Sequence, residues 1–245
     1  MSSQRLTAVE KTRLALLASV VVTFLLYLIP GGQWIIYPLL LLSTLVHELG
    51  HGVTAILVGG HFDRFEMWPD GSGVAYWAGA DNRLELALVA AGGLVGPAIG
   101  AALGFLLGRN AKQARWALYA LSLGLFLALL LVVRNFFGAA FVVFLLVLLL
   151  WVARSASEEM AQLILLFLSV QLALSVYSRS DYLFTPTAQT AEGAMPSDVG
   201  VIEQALWLPY WFWGGVCGLF SLAVVVYGLW VFWQPPVRRR SMRIS

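Results

Sequence analysis

Charge is what this chain has least of: lysine, arginine, aspartate and glutamate make up 11% of its 245 residues, with three histidines and one cysteine. The lone Cys217 excludes a disulfide framework within one chain, and its place in the last apolar run reads as a small packing residue. Fifteen basic residues against thirteen acidic, a net charge of +2, leave no patch suited to nucleic acid. The basic clusters sit at the ends of apolar runs and read as topological anchors or lipid headgroup contacts. Long polar stretches are also missing. The two longest, 59–83 and 178–205, fall short of the roughly 50 residues an independent soluble domain needs. The expectation is one integral membrane domain over 1–245, with no soluble module and no nucleic-acid partner.

What fills the chain is apolar: 60% hydrophobic residues and a mean hydropathy of +0.82, the composition of a polytopic membrane protein with the bilayer as solvent. A spanning helix takes about 20 mostly apolar residues. Candidates run Leu14–Ile29, Trp34–Val58, Leu84–Leu107, Arg115–Val133, Phe136–Val152, Met160–Tyr177 and Leu206–Trp233. The fold class is therefore an all-α polytopic membrane protein of six to eight transmembrane helices, best counted as seven, ending in a basic tail over 234–245. The first run follows Arg5, Lys11 and Arg13 as a signal peptide would. It ends in Pro30-Gly31-Gly32 without a small-x-small cleavage pattern, so it reads as a retained helix. Basic residues gather at the N-terminus, at Arg109, Lys112 and Arg115, and at Arg238, Arg239, Arg240 and Arg243. Seven crossings cannot leave both ends on one side. Either the Phe136–Val152 run re-enters or one basic cluster breaks the positive-inside tendency; the N-terminus is expected in the cytoplasm, the C-terminus on either side.

Within the second apolar run stand His47-Glu48-Leu49-Gly50-His51. Residues four apart share a helix face, so His47 and His51 offer two imidazole nitrogens to one metal ion, and Glu48 reaches a water on it. Ionisable groups at membrane depth each cost about 2 to 3 kcal/mol unless paired, which disfavours two histidines and a carboxylate there as mere packing. Residues 59–83 alternate polar and apolar positions about a Pro69-Asp70-Gly71 turn and read as a β-hairpin, whose edge suits strand addition by an extended substrate. Gly92-Gly93-Leu94-Val95-Gly96-Pro97 and the small residues up to Ala102 let a neighbouring backbone approach closely, and the zinc helix is the natural neighbour.

A catalytic zinc site takes three protein ligands and leaves one position open. Asp63, Asp70 and Asp81 read as turn or surface residues. Asp198, before the last span, either caps a helix or ligates the metal, and Asp181 is the second choice. Arg134-Asn135, polar between two apolar runs, reads either as a substrate or oxyanion contact or, for Arg134, as a snorkelling charge.

Taken together, His47-Glu48-Leu49-Gly50-His51, Gly59-Gly60, Pro69-Asp70-Gly71-Ser72-Gly73, Gly96-Pro97 and Ser197-Asp198 resemble the bacterial and plant branch of the site-2 protease family of intramembrane zinc metalloproteases, over residues 40 to 205. The resemblance implies that Zn²⁺ is held by His47, His51 and a distant aspartate, with Glu48 as general base. A membrane-embedded β-element follows the zinc helix, and Gly96 and Pro97 form an active-site wall. It also implies a membrane-bound protein substrate and a multi-pass location in a bacterial cytoplasmic membrane. The chain departs from that pattern twice: it has no Leu-Asp-Gly, and Gly100 stands near the place of an asparagine. Two other readings stay open: a proteolytically silent membrane protein that keeps zinc for structure, with a fourth protein ligand such as His61, or binds clients through the hairpin; and a polytopic transporter. The oligomeric state is not specified by any of these residues.

Overall fold

The structure, a computed structural model, describes residues 7–29, 33–178, 183–191 and 193–234. Its elements run α1 (Ala8–Leu28), α2 (Gln33–Leu57), β1 (His61–Met67), β2 (Gly73–Ala78), α3 (Arg83–Leu107), α4 (Ala111–Leu131), α5 (Phe136–Ser155), α6 (Glu158–Ser178), β3 (Thr187–Thr190), β4 (Gly193–Pro196), α7 (Asp198–Leu206) and α8 (Tyr210–Trp233). Among the described residues, six helices are long and apolar enough to cross a membrane: α2, α3, α4, α5, α6 and α8. That count lies within the expected range and one below the best count. The first expected run, Leu14–Ile29, falls in α1, whose first two turns carry Glu10, Lys11 and Arg13.

Local sequence sets the helix starts. Thr7 and Glu10 form a reciprocal capping box at α1, and Asn82 and Glu85 do the same at α3. Asn110 caps α4 and Asn135 caps α5 through their side-chain oxygens. The expected last span, Leu206–Trp233, is the single helix α8 from Tyr210 onward, and Leu206 is the last residue of the short helix α7 before it. Trp207, at φ 64°, closes α7 in the left-handed conformation, and α8 opens just beyond Pro209.

Small residues decide the packing around α3, the central helix. A Cβ on Gly96 would stand 3.1 Å from the Val46 carbonyl oxygen and 3.3 Å from the Gly50 Cα, and one on Gly228 of α8 would stand 2.8 Å from the Ala102 Cα. Backbone contact of this kind gives dispersion attraction where lipid supplies no hydrophobic drive. Buried polar ties do the rest. Gln162 on α6 donates to the Thr12 hydroxyl of α1 at 3.0 Å and to the Gly108 carbonyl beyond α3 at 2.7 Å. At one end of the bundle Arg13 donates to the Trp233 carbonyl and Arg109 to the Gln234 carbonyl, so the start of α1 and the end of α8 lie together.

The expected hairpin is present, with β1 antiparallel to β2 and Phe65 opposite Ala75, Met67 opposite Gly73. Its turn is tied to α2: the Tyr37 hydroxyl donates to the Pro69 carbonyl and the Thr44 hydroxyl to the Gly71 carbonyl. Phe65 and Met67 are fully buried in the main core. A second, shorter hairpin, β3 with β4, lies in the 178–205 stretch that the sequence reading left without structure.

Candidate metal centre

One helical turn of α2 sets His47 and His51 side by side, their Nε2 atoms 3.2 Å apart. The third group arrives from the far end of the chain. Asp198 presents Oδ2 at 2.9 Å from His47 Nε2 and Oδ1 at 3.2 Å from His51 Nε2. Asp198 is the first residue of α7, but the cap of that helix is Ser197, whose hydroxyl accepts from the Gly200 N–H at 3.2 Å. The capping alternative for Asp198 is thereby corrected: with Ser197 satisfying the helix end, the neighbouring carboxylate is left to face the histidines. Ser197 is held in turn, its hydroxyl donating to the Thr185 carbonyl and its N–H to the Pro186 carbonyl at 3.0 Å.

The donor set fits a metal ion. His51 Nδ1 lies 2.8 Å from the Val89 carbonyl oxygen of α3, an acceptor only, so Nδ1 carries the proton and Nε2 turns a lone pair toward His47 and Asp198. With both Nε2 atoms unprotonated, lone pairs converging at 2.9 to 3.2 Å would repel one another unless a cation lay among them. The triangle they form approaches the edge of about 3.3 Å expected for ligands at 2.0–2.1 Å from a tetrahedral zinc. Gly93 makes room for this: a Cβ there would overlap the His51 ring. Among the described residues this is the group of histidine and acidic side chains arranged to hold an ion.

Glu48 is buried at 7% exposure beside the triad, against β2: a Cβ on Gly73 would stand 3.3 Å from its Oε1, and the Ala75 backbone faces its carboxylate. The same four side chains line a cavity of about 200 Å³, closed by Ser43, Thr44, Pro97, the β2 residues Gly73, Ala75 and Trp77, and Thr190 and Met195 from the second hairpin. The strand geometry explains what β2 offers there. Phe65 N–H donates to the Val132 carbonyl and its carbonyl accepts from Arg134 N–H, so both groups point away from β2. In an antiparallel ladder the facing residue then points its own N–H and C=O outward, and so Ala75 does. Met67 spends both its groups on the Asn135 side chain, which gives Gly73 the same outward orientation. The unpaired edge of β2 thus looks into the cavity.

The other expected site residues lie elsewhere. Pro97 lines the cavity, whereas Gly96 packs against the α2 backbone. The Arg134 guanidinium is taken up by the carbonyls of Leu130, Leu131 and Val133 at the end of α4. Asn135 joins β1 to α5. His61 begins β1 at an exposed position, packed near Gly79 and away from the triad. Asp181 lies outside the described residues. Sequence reasoning missed the Val89 carbonyl and the second hairpin. The first carries no side-chain signal; the second was visible as Thr187-Ala188-Gln189-Thr190 before a glycine.

A family model described as Peptidase M50B-like matches residues 16–228. No curated protein and no solved structure matches the chain.

Proposed function

This chain belongs to the Peptidase M50B-like family, a family of membrane metallopeptidases, and from that premise we propose that it is a zinc endopeptidase that hydrolyses peptide bonds of membrane-bound proteins within the bilayer. The observation that carries the reading is the convergence of His47, His51 and Asp198 beside Glu48, at the open edge of β2. His47 and His51 through Nε2, and Asp198 through its carboxylate, would hold the ion. When bound, zinc supplies Lewis acidity, lowering the pKa of a water toward neutrality and polarising a carbonyl.

The chain's own residues do the remaining work. Val89 fixes the His51 tautomer, and Gly93 admits the ring. Glu48 takes the proton of the attacking water on its carboxylate and returns it to the departing amine, which neutralises the leaving group as the C–N bond breaks. The Ala75 backbone faces that carboxylate and restrains it next to the site. The β2 edge selects an extended backbone, because a helical substrate buries its carbonyls in its own hydrogen bonds. Gly73 and Trp77, on either side of Ala75, line the same cavity and provide the flanking contacts for such a strand.

The test is cleavage of a membrane-anchored reporter by purified protein. Glu48→Gln abolishes cleavage with zinc still bound, and His47→Ala loses both; retained proteolysis in Glu48→Gln would sink the general-base role.

A further inference from the structure

The α4–α5 linker stands directly behind the hairpin and closes its rear edge in a way the two strands alone do not require. Phe65 exchanges both backbone groups with Val132 and Arg134, at 2.7 and 3.0 Å, forming one parallel rung. At the next outward-facing residue, Met67, no backbone is available, and Asn135 substitutes a side-chain amide for a peptide group. Its Oδ1 accepts from Met67 N–H at 3.2 Å, and its Nδ2 donates to the Met67 carbonyl at 2.6 Å. The same Oδ1 accepts from Gly138 N–H at 3.1 Å and so ties the rung to the first turn of α5. Met67 and Phe65 are fully buried, so no water replaces either partner.

The two residues clamped from behind are those whose partners meet Glu48. Phe65 faces Ala75, whose outward backbone lies toward Glu48. Met67 faces Gly73, where a Cβ would stand 2.9 Å from Glu48 Cγ and 2.8 Å from Thr44 Cγ2. We propose that Asn135 is a positioning residue: through the Met67–Gly73 rung it holds the β2 edge at the depth where Ala75 restrains Glu48 and an extended substrate lies against both. This rests on the proteolytic reading for its catalytic consequence, but the mechanical relay is a property of the hairpin alone. It also accounts for Gly138, because a Cβ there would stand 2.6 Å from Asn135 Oδ1 and push the amide off Met67.

Gly138→Ala is the decisive variant, since alanine improves helix propensity at α5 and a residue that served only that helix would tolerate it. Wild type, Asn135→Ala, Gly138→Ala and Gly124→Ala, the last at an open position on α4, are compared in two ways. The first is amide hydrogen exchange of the detergent-solubilised zinc protein. The second is steady-state cleavage of fluorescently labelled casein, an unfolded polypeptide. In Asn135→Ala and Gly138→Ala the amides of Val74 and Tyr76, which face Glu66 and Arg64 of β1, are expected to exchange at least tenfold faster, with α3 unaltered. In those variants kcat falls at least tenfold while KM changes less than threefold and zinc content is kept; Gly124→Ala matches wild type. Unchanged exchange at Val74 and Tyr76 in both variants, or a response confined to the first turn of α5, overturns the proposal. Wild type that leaves casein intact counts against the proteolytic reading, and the exchange comparison still decides the relay.

Discussion

Gly93 lies directly against the imidazole of His51, so close that any side chain on α3 at that point would occupy the ring's own volume. The relationship makes α3 part of the candidate metal centre, although none of its side chains is among the proposed ligands: Val89 orients the ring and Gly93, one turn later, leaves it space. Gly93→Ala is expected to reduce bound zinc below a tenth of an equivalent by elemental analysis. Gly100→Ala, whose Cβ would stand 3.2 Å from the flexible Leu172 Cδ1, should retain it. Equal zinc in the two variants would refute this account of α3.

Ser197 and Asp198 separate two roles in adjacent residues. On the proposed assignment, Asp198→Ala removes a ligand and should release the metal. Ser197→Ala removes the cap of α7 and the anchor to Thr185, worth about 1 kcal/mol to the helix, and displaces the carboxylate without deleting it. The expected result is a 10- to 100-fold weaker zinc affinity in competition with a chromophoric chelator, the range seen when a supporting group is lost. An affinity equal to wild type would show that Asp198 needs no such support.

Gln162 joins α1, α6 and the end of α3 through one buried amide. Gln162→Leu keeps the volume and strands the Gly108 carbonyl, so thermal unfolding in detergent should show a loss of about 1 to 2 kcal/mol. Zinc content should not change, since the metal centre lies elsewhere in the bundle.

Acid should act on the hairpin turn through Asp70. The Ser72 hydroxyl and backbone N–H, both donating to its carboxylate at 2.7 and 2.9 Å, hold its pKa below the usual 3.8. A carboxylate depressed in the fold contributes its full stabilisation above its unfolded value and loses it as pH falls through the lower folded one. The turn should therefore loosen below about pH 4, and Asp70→Asn should flatten that dependence, read by exchange of the 68–73 amides. Asp70 is exposed, so the change is modest.

Much of this was legible in the sequence because it rests on local rules. The spacing of His47 and His51, the Pro69-Asp70-Gly71 turn and the apolar runs each carry their signal within a few residues. The site's third corner was harder to read: Asp198 stands 147 positions after His51, and only packing of α7 on α3 brings the two together. Arg134 and Asn135 were noticed as polar residues in an apolar setting. Their partners are backbone groups of Leu131 and Met67, which no side-chain pattern announces.

The open edge of β2 has a consequence for solvent. Peptide groups left unpaired at membrane depth cost several kcal/mol each unless something hydrogen-bonds them. With β1 sealed from behind, the outward groups of Gly73 and Trp77 must be hydrated whenever no substrate strand is present. On the proteolytic reading the resting protein would keep its co-reactant beside Glu48, and an arriving strand would exchange that water for peptide hydrogen bonds. Binding should consequently gain entropy from the water released, and one molecule retained near Glu48 is enough for a turnover.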